Sequence, residues 1–242
     1  GINLNNKRLA KQINNRNFQY YFLLDKVSKN LPDSIYPFAA IDTVNKYSDI
    51  ESIRRMIITS VLKSSFYNEQ VNHNKLMTRF ESDFGKLEKD DELLKTYNRI
   101  QSLKPGNLAP SIGELEDTNG KIITLEDFRG TNILVTIWGT WCPYCKEELP
   151  YIKQLINNYG DKFTSVGISL DKDKSKWKNY IKENNWNGVH MIDPERRSIL
   201  KLNYVVGGTN VHILIDKNGK IISKNSTKPS AGILETLIKR LE

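Results

Sequence analysis

The stretch ILVTIWGTWCPYCKEELPYIKQL, residues 133–155, contains both cysteines of the chain, Cys142 and Cys145. The segment NILVTIW, residues 132–138, is a continuous run rich in apolar and β-branched residues. Such a run is typical of a central strand that is covered on both faces. The sequence that follows predicts a long helix over about 143–159. The two thiols therefore lie where a buried strand passes into a helix.

Predicted strands and helices alternate from about residue 105 to the end of the chain. Strands are expected in a hairpin over 117–125 and then at 132–138, 162–170, 189–193, 210–216 and 219–225. Helices are expected at 143–159, 175–185, 194–203 and 231–242. This alternation, with hairpins at both ends, predicts an α/β sandwich with a mixed sheet.

The region before residue 105 has a different character. Apolar residues recur there at helical spacing in four segments, 16–27, 49–66, 74–87 and 90–103. The segment 31–40 contains two prolines and is expected to be a loop. Pro105-Gly106 is a natural break. We therefore predict a small all-helical domain over 1–104 and an α/β domain over 105–242.

Composition excludes some classes of function. The 242 residues carry a formal net charge of +8, but no block of Lys and Arg follows the pattern of a phosphate-binding surface, so we expect no nucleic-acid partner. No segment approaches the roughly 18 consecutive apolar residues of a membrane span. The chain opens GINLNNKRLAKQ without an initiator Met. This suggests processing or trimming, and a membrane anchor removed in that way stays an open alternative.

The cysteine pair admits three interpretations. Structural zinc needs four ligands, but the chain has no further cysteine, and His73, His190 and His212 are scattered. The thiols could also be inert core residues. The third interpretation is a redox pair, which the position at a strand–helix junction favours. We therefore expect no metal and no cofactor other than a redox-active Cys142–Cys145 disulfide.

The spacing C-x-x-C suggests a role for each thiol. At the first turn of a helix, the sulfur of Cys142 faces unpaired N–H groups and the positive end of the helix dipole. Both stabilise a thiolate, which makes Cys142 the expected nucleophile. Cys145 lies one turn deeper on the same face and can resolve a disulfide between Cys142 and a substrate.

Several motifs in order resemble the thioredoxin superfamily, and within it the TlpA/ResA-like thiol–disulfide oxidoreductases. WGTWCPYCKEELP (138–150) resembles W-[AG]-[TS]-W-C-x-x-C-x-x-E-x-P. YVVGGTNVHILIDKNGKI (204–221) resembles Y-x-V-x-G-x-P-x-x-x-L-I-D-x-x-G-K-I. The resemblance covers about 105–242 and implies a thioredoxin-like α/β/α sandwich. The helical region before it resembles no family that we can name.

The resemblance implies roles for residues around the thiols. Trp141 would flank the nucleophile, although a surface aromatic that fixes the helix start is the alternative. Pro143 and Tyr144 stand between the cysteines and would tune the redox potential. Glu148 lies on the face of Cys145 and could accept its proton. The alternative for Glu148 is an ordinary solvated carboxylate.

Two positions depart from the family pattern. Thr136 stands where thioredoxin has a buried Asp, six residues before the first Cys, and it cannot act as a base. Asn210 replaces the proline whose cis peptide bond faces the disulfide. A non-proline cis bond costs about 2.5–4 kcal/mol, so we expect Thr209-Asn210 to be trans. Thr209 and Asn210, together with Trp141, Pro143 and Tyr144, are the candidate substrate-binding residues.

These observations predict a thiol–disulfide oxidoreductase that acts on protein thiols and disulfides of the cell envelope, more as a reductase than as an oxidase. The resemblance implies a periplasmic or membrane-anchored location, a role in redox homeostasis and a membrane or periplasmic electron donor. Two alternatives stay open: a non-catalytic partner-binding protein built on a thioredoxin-like scaffold, and a thiol peroxidase.

Overall fold

The computed structural model describes residues 31–66, 68, 71–88, 91–195, 199–206, 208–225 and 228–241. The helix predicted over 16–27 lies outside these residues. The chain divides into two compact units, with the boundary between Asn98 and Arg99. The first unit is helical where it is described, and the second contains the sheet and both cysteines.

Four helices occur in the described part of the first unit, and the last of them crosses the boundary. They are α1 (Tyr36–Tyr47), α2 (Glu51–Ser65), α3 (His73–Phe84) and α4 (Glu92–Ser102). Their buried side chains are almost all apolar and recur at the spacing of one helix face. The best buried are Ala40, Ile41, Val44, Ile57, Ile58, Leu62, Leu76 and Phe80. The predicted helical character of this region is confirmed.

One local prediction in this unit is wrong. The segment 31–40 was expected to be a loop, but α1 begins at Tyr36 within it. Pro37 lies in the first turn, where a missing N–H breaks no helical hydrogen bond and the fixed φ of proline suits the helix. The carbonyl of Pro32 accepts hydrogen bonds from the N–H groups of Ile35 and Tyr36, at 2.9 and 3.0 Å, and so turns the chain into the helix.

The second unit is built on one mixed sheet of seven strands in the part of the chain that is described. Its strands are β1 (Leu115–Asp117), β2 (Ile122–Ile123), β3 (Ile133–Trp138), β4 (Thr164–Ser169), β5 (Val189–Ile192), β6 (Val211–Ile215) and β7 (Ile221–Asn225). The spatial order is β2-β1-β5-β4-β3-β6-β7. Strands β3, β4 and β5 are parallel, while β1, β2, β6 and β7 pair antiparallel with their neighbours.

Helices cover both faces of this sheet. They are α5 (Pro143–Tyr159), α6 (Lys174–Glu183), α7 (Ile199–Asn203) and α8 (Ile233–Lys239). Apolar side chains of α5, α6 and α8 pack on one face, and those of α7 pack on the other. The predicted α/β/α sandwich is therefore confirmed.

Alternation along the central strand decides what faces the helix that carries the thiols. Val135 and Ile137 belong to the core on the α7 side. Leu134 and Trp138 pack on the α5 side. Because successive side chains of a strand point to opposite faces, Thr136 also faces α5.

Candidate active site

The two cysteines form a disulfide at the start of α5. Cys142 is the N-cap residue, and its sulfur accepts a hydrogen bond from the N–H of Cys145 at 3.1 Å. Pro143 follows at the first helical position, where its lack of an N–H is harmless. The sequence predicted Cys142 in the first turn, and its place as the cap lets its sulfur satisfy an otherwise unpaired helical donor.

This position has a chemical consequence when the disulfide is reduced. The N-terminus of a helix carries the equivalent of about half a positive charge. A cysteine sulfur held there is more readily ionised, and the thiolate is the form that attacks disulfides. Cys142 and Cys145 are only 4% and 8% exposed, so a partner that reaches either sulfur also contacts the residues around it.

Two aromatic side chains form the exposed rim of the disulfide. Trp141 is 46% exposed and Tyr144 is 62% exposed. The Nζ atom of Lys228 lies 5.9 Å from the centre of the Tyr144 ring. Gly139 makes room for the Trp141 indole, because a Cβ atom there would lie 2.7 Å from Trp141 Nε1.

A buried carboxylate holds the loop that leads into the cysteines. Asp171 accepts hydrogen bonds from the N–H and the hydroxyl of Thr140, at 2.8 and 2.7 Å, and from the hydroxyl of Ser169 at 2.7 Å. Asp171 is 3% exposed. Sequence reasoning missed this residue. The one available signal was its position just after a buried parallel strand, at the edge of the sheet where β3 also ends.

Glu148 lies one turn beyond Cys145 on the buried side of α5. Its carboxylate accepts hydrogen bonds from the N–H and the hydroxyl of Ser230, both at 2.9 Å. The surface alternative considered for Glu148 is wrong, because the residue is only 5% exposed. A buried carboxylate beside the thiols is a candidate proton acceptor with a fixed orientation.

A second polar group faces α5 from the sheet. His212 on β6 is the direct partner of Thr136 on β3. Its Nδ1 atom lies 3.2 Å from the Thr136 hydroxyl, and its Nε2 atom lies 3.3 Å from Oδ1 of Asn210. A carboxamide oxygen can only accept, so Nε2 carries the proton and Nδ1 accepts from the hydroxyl. Sequence reasoning weighed His212 only as a zinc ligand and missed these contacts.

Burial decides the charge of this histidine. It lowers the pKa of His212 to about 4, while the nearby Glu148 carboxylate acts in the opposite direction. The ring is therefore neutral at neutral pH. His190 on β5 also has its pKa lowered to about 4 by burial, opposed by its hydrogen bond to the Trp186 carbonyl.

Thr209 and Asn210 stand where the resemblance places a cis-proline, and the structure gives their backbone conformation. The Thr209–Asn210 peptide bond is trans, as expected. Asn210 has a φ of 63°, in the left-handed region that asparagine tolerates better than most residues. Its N–H donates to the carbonyl of Ile137 at 2.8 Å, which places it beside the end of β3.

The three histidines lie on different elements, His73 on α3, His190 on β5 and His212 on β6. Among the described residues, no group of three or more His, Cys, Asp or Glu side chains is arranged to hold a metal ion. In the same part of the chain, no helix is both long enough and apolar enough to cross a membrane.

Residues 104–237, more than half of the chain, match the Redoxin family. The chain belongs to the Redoxin family. A Redoxin relative, the thiol-disulfide oxidoreductase ResA of Bacillus cereus (strain ATCC 10987 / NRS 248), is 31% identical over 147 residues. That alignment covers 60% of this chain and 83% of the relative.

Solved structures give the same result for the fold of this Redoxin domain. The thioredoxin domain of a thiol-disulfide oxidoreductase from Bacteroides vulgatus superposes with a TM-score of 0.50 at 29% identity, covering 57% of this chain and 99% of that one. A thiol:disulfide interchange protein from Bacteroides sp. superposes with a TM-score of 0.51 at 29% identity. The match covers 58% of this chain and 91% of that one. The predicted thioredoxin-like fold is confirmed, and the predicted redox activity, that of a thiol–disulfide oxidoreductase, is confirmed at the level of the family.

Proposed function

We propose that this Redoxin protein exchanges disulfides with other proteins through the Cys-Pro-Tyr-Cys motif, with Cys142 as the nucleophile and Cys145 as the resolving thiol. The observation that carries the proposal is the disulfide at the N-terminus of α5, in which the Cys142 sulfur accepts the N–H of Cys145 at 3.1 Å. A helix N-terminus is where a thiolate is best stabilised.

The reaction takes place in two exchanges. The Cys142 thiolate attacks one sulfur of a substrate disulfide, forms a mixed disulfide and releases the other substrate sulfur as a thiolate. The Cys145 thiolate then attacks the Cys142 sulfur, forms the Cys142–Cys145 disulfide and releases the second substrate thiolate. Two electrons pass from the protein to the substrate, and an external donor must return them.

Glu148 is proposed to accept the proton of Cys145 before the second exchange. The carboxylate is buried and held by Ser230, yet each carboxylate oxygen has a further lone pair for a proton donor. Thr136 offers only a hydroxyl, so Glu148 is the carboxylate available on the buried side of α5 near the thiols.

The rim residues are proposed to contact the substrate chain. Exposed aromatic side chains such as Trp141 and Tyr144 give a partner protein apolar contact area next to the reacting sulfur. Pro143 has no N–H group to offer to the partner. Thr209 and Asn210 would approach the same partner from the loop that leads into β6.

We further propose that the protein works as a reductase on envelope proteins, in the periplasm or attached to a membrane that faces it. A membrane or periplasmic thiol protein would supply the electrons. The support is the similarity to ResA-type thiol-disulfide oxidoreductases over 147 residues.

Insulin reduction with dithiothreitol as the electron source tests the activity. We expect turnover that is lost in Cys142→Ser, and a trapped mixed disulfide in Cys145→Ser. A partner-binding protein without catalysis would show no Cys142-dependent turnover. The reduction potential tests the direction: a value near −270 mV supports a reductase, whereas one near −120 mV marks a disulfide-forming oxidant.

A further inference from the structure

Behind the loop that ends in Asn210, the sheet places a buried ring in contact with a partly exposed carboxamide. His212 is 2% exposed, whereas Asn210 is partly exposed. The ring Nε2 atom lies 3.3 Å from Asn210 Oδ1. The ring itself is held on its other side by the Thr136 hydroxyl at 3.2 Å. The side chain of Asn210 is therefore oriented by a group that is fixed in the core.

The orientation of the carboxamide decides which of its ends is available to a partner. Its oxygen accepts from the buried ring, so its NH₂ group lies on the side away from His212. Within the described residues, this NH₂ group makes no hydrogen bond. The main-chain N–H of Asn210 is already used, since it donates to Ile137. The carboxamide NH₂ is then the donor that this residue can offer to a docked chain.

We propose that His212 is a positioning residue for disulfide exchange: it fixes the Asn210 carboxamide so that the NH₂ group donates to a main-chain carbonyl of the substrate. The proposal rests on the proposed function and assigns part of its substrate recognition. Its substrate class is an extended peptide segment next to a disulfide, because a main-chain carbonyl is the acceptor that every such segment presents.

The neutral form of the ring suits this role. Burial lowers the pKa of His212 to about 4, so the ring keeps one donor and one acceptor at neutral pH. The charged and titratable side chain that faces it from α5 is Glu148, and Thr136 faces it from β3. A neutral ring between a hydroxyl and a carboxamide can hold one tautomer, and that tautomer keeps the carboxamide from rotating by 180°.

His212→Gln and His212→Asn distinguish the contact made by Nε2 from the contact made by Nδ1. The amide of glutamine reaches about as far as Nε2 of histidine, and the amide of asparagine about as far as Nδ1. His212→Gln can therefore still donate to Asn210, whereas His212→Asn can reach only Thr136. His212→Phe removes both contacts. Thermal unfolding of each variant is measured first, so that activities are compared on folded protein.

The first assay compares two probes. Insulin has a peptide chain beside its disulfide, whereas 5,5′-dithiobis(2-nitrobenzoate) has none. We expect kcat/KM for insulin to fall about five- to tenfold in His212→Asn, His212→Phe and Asn210→Ala, as for the loss of one hydrogen bond. His212→Gln should keep most of the activity. With the small probe, which presents no main-chain carbonyl, the loss in each variant should be clearly smaller than with insulin.

The second assay does not depend on turnover. In a Cys145→Ala background, the equilibrium between Cys142 and a cysteine-containing peptide disulfide measures the stability of the mixed disulfide. We expect His212→Phe and Asn210→Ala to weaken it by the same factor, with no further loss in the double variant.

The outcomes are distinguishable. Unchanged mixed-disulfide stability in His212→Phe, or an equal loss with both probes, overturns the positioning role of His212. Absence of Cys142-dependent insulin turnover in the wild-type protein overturns the proposed function instead, while the peptide equilibrium still decides the role of His212.

Discussion

Glu148 and Ser230 are joined by two hydrogen bonds, both 2.9 Å long, although 82 residues separate them in the chain. One donor is the N–H of Ser230 and the other is its hydroxyl. The segment before α8 therefore fixes the orientation of a carboxylate on α5, one turn from Cys145. The acid near the thiols is held from outside its own helix.

Removing one of these two donors should have a measurable cost. Ser230→Ala keeps the N–H bond and deletes the hydroxyl bond. Hydrogen bonds to charged groups contribute about 1.5–3 kcal/mol, and we expect a loss near the lower limit because Ser230 is exposed. Denaturant unfolding measures it, with exposed Ser175→Ala as the control. An equal effect in the two variants would show that the bond to Glu148 contributes little.

Neutralising the carboxylate should slow resolution of the mixed disulfide. In Glu148→Gln, an amide cannot take the proton of Cys145, and its NH₂ group would face the donors of Ser230. Proton transfer by a positioned group typically contributes 10²–10⁴-fold, and we expect the mixed disulfide with Cys142 to accumulate. Rapid quench with mass spectrometry detects this species. The adjacent, exposed Glu147→Gln is the control and should leave the rate unchanged.

Acid should destabilise the fold through two buried histidines. The pKa values of His212 and His190 are both lowered from 6.5 to about 4, chiefly by burial. Well above pH 6.5 the rings are neutral in both the folded and the unfolded state, so their titration does not change stability there. As the pH falls from 6.5 to about 4, the unfolded chain gains protons first, and each ring removes at most about 3 kcal/mol of stability.

Unfolding free energies at pH 7, 5.5 and 4.5 check this expectation. The difference between the wild type and His212→Gln isolates the contribution of one ring, and His190→Gln that of the other. Each variant should show a flatter dependence on pH than the wild type. Parallel curves would mean that neither ring is kept neutral by the fold.

The loop before Cys142 should depend on the charge of Asp171. Asp171→Asn places an NH₂ group opposite donors from Thr140 and Ser169, and an unpaired buried group costs about 1–3 kcal/mol. Thr140→Val removes only one of the three bonds and should cost less. Thermal unfolding gives the order, and the reduction potential shows whether the loop transmits the change to the cysteines. A larger loss of stability in Thr140→Val than in Asp171→Asn would show that the Asp171 carboxylate is not what holds the loop.

The strand and helix around the thiols could be predicted because their signals are local. The apolar run of β3, the C-x-x-C spacing and the helix after it all lie within 30 residues of sequence. Helix α5 was placed at 143–159, and the structure gives Pro143–Tyr159. Helix α1 was missed because Pro37 was taken as a breaker, although proline is tolerated in a first turn.

The polar groups behind the disulfide could not be predicted because their contacts are long-range. His212 meets Thr136 only through the pairing of β6 with β3, across 76 residues. Asp171 meets Thr140 across 31 residues. One residue more or less in either strand register would turn His212 to the opposite face. Such a register follows from the complete sheet, and a single segment does not contain it.

The backbone conformation of Asn210 also restricts which residues can occupy this position. Proline fixes φ near −65° and has no N–H. Asn210 has a φ of 63°, and its N–H is bonded to Ile137. A proline at this position would therefore lose the bond to Ile137 and require a different loop conformation. A residue at this position must supply a backbone N–H and adopt a left-handed φ, and asparagine, aspartate and glycine do so at the lowest cost.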